Sequence, residues 1–234
     1  MHSPIEPIRA ADGRVFQAYK SVPAVPNGHA VIVLQEIFGV TDTIRAVADR
    51  YAAEGYLALA PDLFWRLEPG VELAHDKPGV ARAFEYLERF DEAAGIEDIG
   101  QAVAHVRAMP GFSGRVAVLG LCLGGKLAYR AAASLDIDAA VAFYGVGIEQ
   151  HLDEVAALRC PLMLHYGGRD RYAPAEVVDR IEAVLASSVP PARAVLHRYP
   201  QADHGFYTRG AAEDADAAHA RTRRFLQAEL GAAR

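Results

Sequence analysis

Short apolar runs alternate along this chain with longer stretches whose apolar residues recur at helical spacing. The runs fall at residues 29–34, 56–60 (stopped by Pro61), 115–119, 138–143, 161–165 and 193–197, with 16–19 as a further candidate. The helical patterns fall at 43–53, where Ile44, Val47, Ala48 and Tyr51 share a face, at 81–90 and 96–109 with a break near Gly95, and at about 123–133, 175–185 and 212–230. Strands buried on both faces read as continuous apolar runs, and helical crossovers join them in parallel. The series predicts an α/β fold: a doubly wound, mostly parallel sheet with helices on both faces. Repeats and low-complexity linkers are missing from the pattern, so residues 1–234 are expected to form a single domain. The stretch 64–79, rich in Pro, Gly and charge, is the candidate loop over an active site.

An apolar content of 52% is enough for a sizeable core. The net charge of −6, from 30 acidic and 24 basic residues, gives no support for nucleic acid as a partner. Two cysteines, Cys122 and Cys160, do not make a disulfide framework. The start, Met1-His2-Ser3-Pro4-Ile5-Glu6-Pro7, does not read as a signal peptide, and the apolar runs are too short to span a bilayer. A cytoplasmic protein without membrane partners is the expectation. The histidines and acids form no dense cluster that suggests a metal.

The segment Val118-Leu119-Gly120-Leu121-Cys122-Leu123-Gly124-Gly125-Lys126 ends a predicted strand and starts a predicted helix. A reactive side chain at such a sharp turn is pushed clear of the sheet, and flanking glycines keep Cβ atoms out of the crossing. The helix N-terminus favours a thiolate and the oxyanion of acyl transfer. Two other uses of the segment stay open: Cys122 as a packed small hydrophobe, and a glycine turn that binds an anion. The dinucleotide and Walker fingerprints are not present.

A cysteine nucleophile needs a histidine to exchange its proton and a third group to orient that histidine. Asp170, in His165-Tyr166-Gly167-Gly168-Arg169-Asp170, and His204, in Ala202-Asp203-His204-Gly205-Phe206, follow the next two strands after 138–143. Nucleophile, acid, histidine is the chain order of α/β-hydrolases. Taken singly, Asp170 also suits a self-capping turn and His204 a surface site. The remaining histidines, among them His75 and His165, lack so apt a position. Glu36, in Val33-Leu34-Gln35-Glu36-Ile37-Phe38-Gly39, follows the first strong strand and suits either a helix cap or the control of a nearby thiol. A second oxyanion donor is expected from the backbone near Ile37, beside that of Leu123.

These segments, with Gln35-Glu36-Ile37-Phe38-Gly39-Val40, Pro61-Asp62-Leu63, Phe143-Tyr144-Gly145 and Gly168-Arg169-Asp170, resemble the dienelactone hydrolase (carboxymethylenebutenolidase) family in order and over nearly the whole chain. The resemblance implies opening of an unsaturated lactone that bears a carboxylate, so the expected partner is a small, anionic ester or lactone. It implies no cofactor and favours a monomer. It places the catalytic cysteine on Cys122, the aspartate on Asp170 and the histidine on His204. The glutamate that holds the resting thiol falls on Glu36, and the oxyanion donors on Ile37 and Leu123. Trp65 and Tyr144 fall where family residues wall the pocket, and Phe206 is assigned to substrate binding with them. The family's two carboxylate-binding arginines fall at Val80 and Thr208. Arg82 and Arg209 are the displaced candidates for that role.

Overall fold

The computed structural model describes residues 4–188, 190 and 193–231, so Met1, His2 and Ser3 of the N-terminal segment lie outside the described residues. The eight strands belong to one mixed sheet, and the chain divides into two compact units, Met1–Val116 and Ala117–Arg234.

In the first unit the strands are β1 (Ile5–Arg9), β2 (Val15–Ser21), β3 (Ala30–Leu34) and β4 (Leu57–Pro61). β1 pairs antiparallel with β2, β2 antiparallel with β4, and β3 parallel with β4. Every residue of β3 is fully buried, which explains its unbroken apolar run. Helix α1 (Asp42–Ala53) buries Ile44, Val47, Ala48 and Tyr51, the face expected from their spacing. Helices α2 (Lys77–Arg89) and α3 (Glu92–Arg107) follow. The expected break near Gly95 lies earlier, because Asp91 caps α3 by accepting the N–H groups of Ala93 and Ala94 at 3.0 and 3.1 Å. Gly95 is instead an interior contact: a Cβ there would lie 2.5 Å from the Phe90 ring. Helix α2 starts at Lys77, inside the stretch expected to be loop, because Asp76 caps it through the Gly79 N–H at 2.8 Å.

In the second unit β5 (Val116–Leu121, its first residue in the first unit), β6 (Ala139–Phe143), β7 (Leu162–Gly167) and β8 (Ala194–Tyr199) are parallel in that order. Between them run α4 (Leu123–Ser134) and α5 (Ala175–Ser188), and after β8 come the short α6 (Phe206–Arg209) and the closing α7 (Ala212–Gly231). Because β5 to β8 are parallel, the turns at their carboxyl ends leave from one edge.

Below that edge lies a buried polar cluster. His165 on β7 is wholly buried, with Nδ1 2.9 Å from the Tyr199 hydroxyl and Nε2 3.0 Å from Thr222 Oγ1 on α7. Its ring stacks on Phe143 at 4.5 Å. Burial, aided by His197 and Arg221, pushes the His165 pKa well below the usual value. The folded chain therefore keeps His165 neutral while the unfolded chain takes a proton near pH 6.5, so its contribution is present above that pH and is lost as pH falls below it. Stability should fall by about 1.4 kcal/mol per pH unit from this group below pH ~6.5. Urea unfolding of native protein and His165→Asn between pH 7.5 and 5 checks this; the variant should show a shallower acid slope.

Candidate active site

Cys122 is the one residue between β5 and α4, and its backbone is held at φ 55 and ψ −112. A side chain at positive φ costs ~1–3 kcal/mol and persists only where surrounding contacts enforce it. Among the described residues, Cys122 and Tyr144 (φ 40) are the two non-glycines with positive φ, and they follow the neighbouring strands β5 and β6. The enforcing contacts are the Cys122 N–H to the Phe143 carbonyl at 3.0 Å and the Tyr144 N–H to the His165 carbonyl at 2.7 Å. The glycines make the crossing possible. A Cβ at Gly120 would lie 1.9 Å from the Gly124 oxygen, and one at Gly125 2.6 Å from the Phe143 oxygen. Both obstacles are backbone, so Gly120→Ala should destabilise the fold by ~2–3 kcal/mol, read as a lower urea midpoint.

Asp170, in the turn after β7, has no exposed side-chain surface. Its Oδ1 accepts the N–H groups of Tyr172 at 2.8 Å and Ala173 at 3.3 Å, while Oδ2 lies 2.8 Å from His204 Nδ1. Cys122 is near enough to the His204 ring to act on its charge. The structure thus gathers Cys122 and the hydrogen-bonded His204–Asp170 pair at one place. Burial works to lower the His204 pKa, but hydrogen bonds and charge from Asp170 and Cys122 outweigh it and push the value up to about 10. A histidine held by a buried carboxylate beside a cysteine is the pairing that cysteine nucleophiles use. Aromatic rings bracket the imidazole: buried Tyr144 at 4.9 Å and 64°, and half-exposed Tyr172 at 4.8 Å and 68°. Phe206 packs on Tyr144 at 5.6 Å. The only sequence signal for Tyr172 is its place two residues after Asp170. Leu123 opens α4, so its N–H belongs to the first turn, whose donors have no intrahelical acceptor.

Glu36 and Ile37 sit in the first unit, in the turn after β3. Glu36 is 2% exposed, and its Oε2 lies 3.5 Å from His75 Nε2. The neighbouring Gln35 is wholly buried, and its Oε1 accepts the Leu63 N–H at 3.0 Å. Asp62 accepts the N–H groups of Phe64 at 3.0 Å and Gly70 at 2.7 Å. The Gln35-Glu36 and Pro61-Asp62-Leu63 segments therefore shape one another's turns.

The dienelactone hydrolase family model matches residues 16–229. The chain belongs to the dienelactone hydrolase family. It is 36% identical over 194 residues to carboxymethylenebutenolidase 1 of Cupriavidus pinatubonensis, covering 82% of each chain. To the carboxymethylenebutenolidase of Pseudomonas sp. strain P51 it is 38% identical over 200 residues, 85% of this chain and 82% of that one. A crystal structure from Klebsiella pneumoniae subsp. pneumoniae MGH 78578, assigned by name to the dienelactone hydrolases, aligns with TM-score 0.80 and 28% identity over 98% of each chain. The α/β fold expected from the alternating pattern is the fold of this family, and the chain is a hydrolase.

Within this hydrolase the remaining candidates are engaged as follows. Trp65 is buried, stacked on Phe16 at 5.4 Å, with its indole N–H donating to Asp98 Oδ2 at 2.7 Å. The Arg66 and Arg14 guanidinium groups lie over its ring at 4.4 and 4.7 Å. Arg82, on α2, is exposed and donates to Glu68 at 3.3 Å and to the Tyr86 hydroxyl at 3.1 Å. Arg209 ends α6 and is exposed, and its guanidinium folds back over Gly205, where a Cβ would lie 2.3 Å from Nη2. Among the described residues, no helix is long and apolar enough to cross a membrane.

Proposed function

We propose that this protein hydrolyses a dienelactone-type enol lactone through a thioester on Cys122. The Cys122 thiolate adds to the ester carbonyl, forming the S–C bond. The N–H groups of Leu123 and Ile37 receive the oxyanion. The ring C–O bond then breaks, the enolate leaves with its electron pair, and His204 gives it a proton. Neutral His204 next takes a proton from water as the oxygen adds to the thioester, and the thiolate departs, leaving the acid. Asp170 holds the imidazole in the required tautomer throughout. An enol ester suits a thiol because a stabilised enolate leaves with little acid assistance. The observation that carries this reading is Cys122 at a positive-φ turn, near enough to the hydrogen-bonded His204–Asp170 pair to act on the imidazole's charge.

Residues 1–234 act as one α/β-hydrolase domain in this reading, a cytoplasmic monomer that needs no cofactor. Glu36 governs the resting thiol. Tyr144, Phe206 and Trp65 wall the substrate, and Arg82 or Arg209 meets its carboxylate. Support for these assignments comes from family membership. The engagement of Arg82 with Glu68 and Tyr86 favours a second substrate class, neutral activated esters on the same cysteine. A substrate panel separates the two. A kcat/KM for a carboxylate-bearing dienelactone at least ~10-fold above that for a neutral p-nitrophenyl ester fits the first, since one lost anion contact costs about that much. Equal values favour the second.

A further inference from the structure

Residues 71–75 form a strap tied to the turn that carries Glu36. The Leu73 N–H donates to the Phe38 carbonyl at 2.9 Å, and Glu72 forms an antiparallel bridge with Gly39. The contact is so close that a Cβ on Gly39 would lie 1.7 Å from the Val71 oxygen. Arg45 on α1 also holds the strap, donating to Glu72 Oε1 at 2.8 Å and Oε2 at 2.7 Å. The α2 cap at Asp76 sets where the strap ends. His75 is thus the last strap residue before a capped helix, and its position has little freedom.

Its ring lies on Phe38 at 3.9 Å between centroids, and its Nε2 is 3.5 Å from Glu36 Oε2. The His75 side chain is 32% exposed and Glu36 is 2% exposed, so the imidazole reaches from the surface to a buried carboxylate. A buried carboxylate is kept by the groups that face it. A rigid ring seated on Phe38 restricts a glutamate with three side-chain torsions better than a flexible chain would. We infer that His75 is a positioning residue for Glu36, holding its carboxylate in the pose from which Glu36 acts on the cysteine. This role rests on the reading that Glu36 governs the resting thiol of Cys122. His75 touches no reacting atom; it acts through Glu36.

A double-mutant cycle tests this with the full chain: native protein, His75→Ala, Glu36→Gln and the double variant, with His75→Gln as the conservative replacement. The readouts are kcat and KM for a p-nitrophenyl ester and the rate of Cys122 alkylation by iodoacetamide, with thermal unfolding as the folding control. Buried Cys160 is the internal comparison, since burial pushes its thiol up to about 12. His75→Ala should lower kcat about tenfold and leave KM within about twofold, the size of loss expected when a working group is misplaced by a fraction of an ångström. The alkylation rate should change at least ~3-fold, and His75→Gln, which keeps an N–H at similar reach, should recover most of both. On the Glu36→Gln background His75→Ala should add less than ~2-fold, because residues acting through one another are not additive. An undiminished His75→Ala effect on that background overturns the inference, as does a His75→Ala variant with native kcat and alkylation. If Glu36→Gln alone changes neither quantity, the underlying role of Glu36 fails, and the inference falls with it.

Discussion

Cys122→Ala should lower kcat/KM for an activated ester by at least ~10³-fold while leaving the thermal unfolding midpoint close to native. The reason is local. Cys122 holds its side chain near enough to His204 to act on its charge, from a backbone forced to φ 55, and that backbone is enforced by the Phe143 carbonyl and by the bare glycines around it, not by the sulfur. Removing the sulfur therefore leaves the turn standing and removes the group that would carry the acyl chain. A loss of that size with intact folding assigns the chemistry to this thiol. Residual activity within tenfold of native would assign it elsewhere. The contrast with Cys160 is instructive, because Cys160 is 2% exposed and its pKa is pushed up to about 12 by burial. Cys160→Ala should leave kcat/KM unchanged.

Asp170→Asn should cost ~10²–10⁴-fold in kcat with little change in KM. One carboxylate oxygen already serves the turn through Tyr172 and Ala173, and the other faces His204 Nδ1. An asparagine can keep the turn by leaving its oxygen on those N–H groups. It then presents an NH2 group to Nδ1, which forces the opposite tautomer and aims an N–H, rather than a lone pair, at the water that must be activated. The charge effect has a definite sign. Burial lowers the His204 pKa, while Asp170 and Cys122 raise it to about 10. Without the Asp170 charge the imidazole should titrate lower, so the fraction protonated at pH 8 should fall. NMR titration of the His204 ring in both proteins reads that shift directly. Unaltered kcat together with an unmoved titration would remove Asp170 from the mechanism.

Much of the fold was legible because buried parallel strands are apolar throughout. Strands β3, β5, β6 and β7 are buried at every position, and each was visible as an uninterrupted run. Strand β1 was not: it holds Pro7, only Ile8 is buried, and an edge strand with a mostly exposed pattern looks like coil. The helix boundary expected at Gly95 shows a related limit. Glycine weakens a helix, yet a close aromatic contact gives Gly95 a place inside α3, and the side chain of Asp91 decides where that helix begins. At the candidate site, Cys122, Asp170 and His204 were legible because each follows a strand of a parallel sheet, and parallel strands deliver their loops to one edge. Trp65 shows why side-chain roles are harder to read. Its place in the chain suggests a pocket wall, and no local pattern adds that its indole N–H is bound by Asp98, a residue far away in sequence. His75 had no distinguishing local pattern at all. Its proximity to Glu36 follows from the strap's hydrogen bonds to Phe38 and Gly39, a tertiary contact that no spacing rule encodes.

The central claim is that Cys122 carries the acyl group, and the most direct test is to trap it. The protein is mixed with an activated ester that deacylates slowly, quenched in acid within the first turnover, digested and examined by mass spectrometry. A thioester-labile adduct of the acyl mass on the peptide containing Cys122, absent from Cys122→Ala, is the expected result. Product release with no adduct on Cys122, or with the acyl group on another residue, would contradict it.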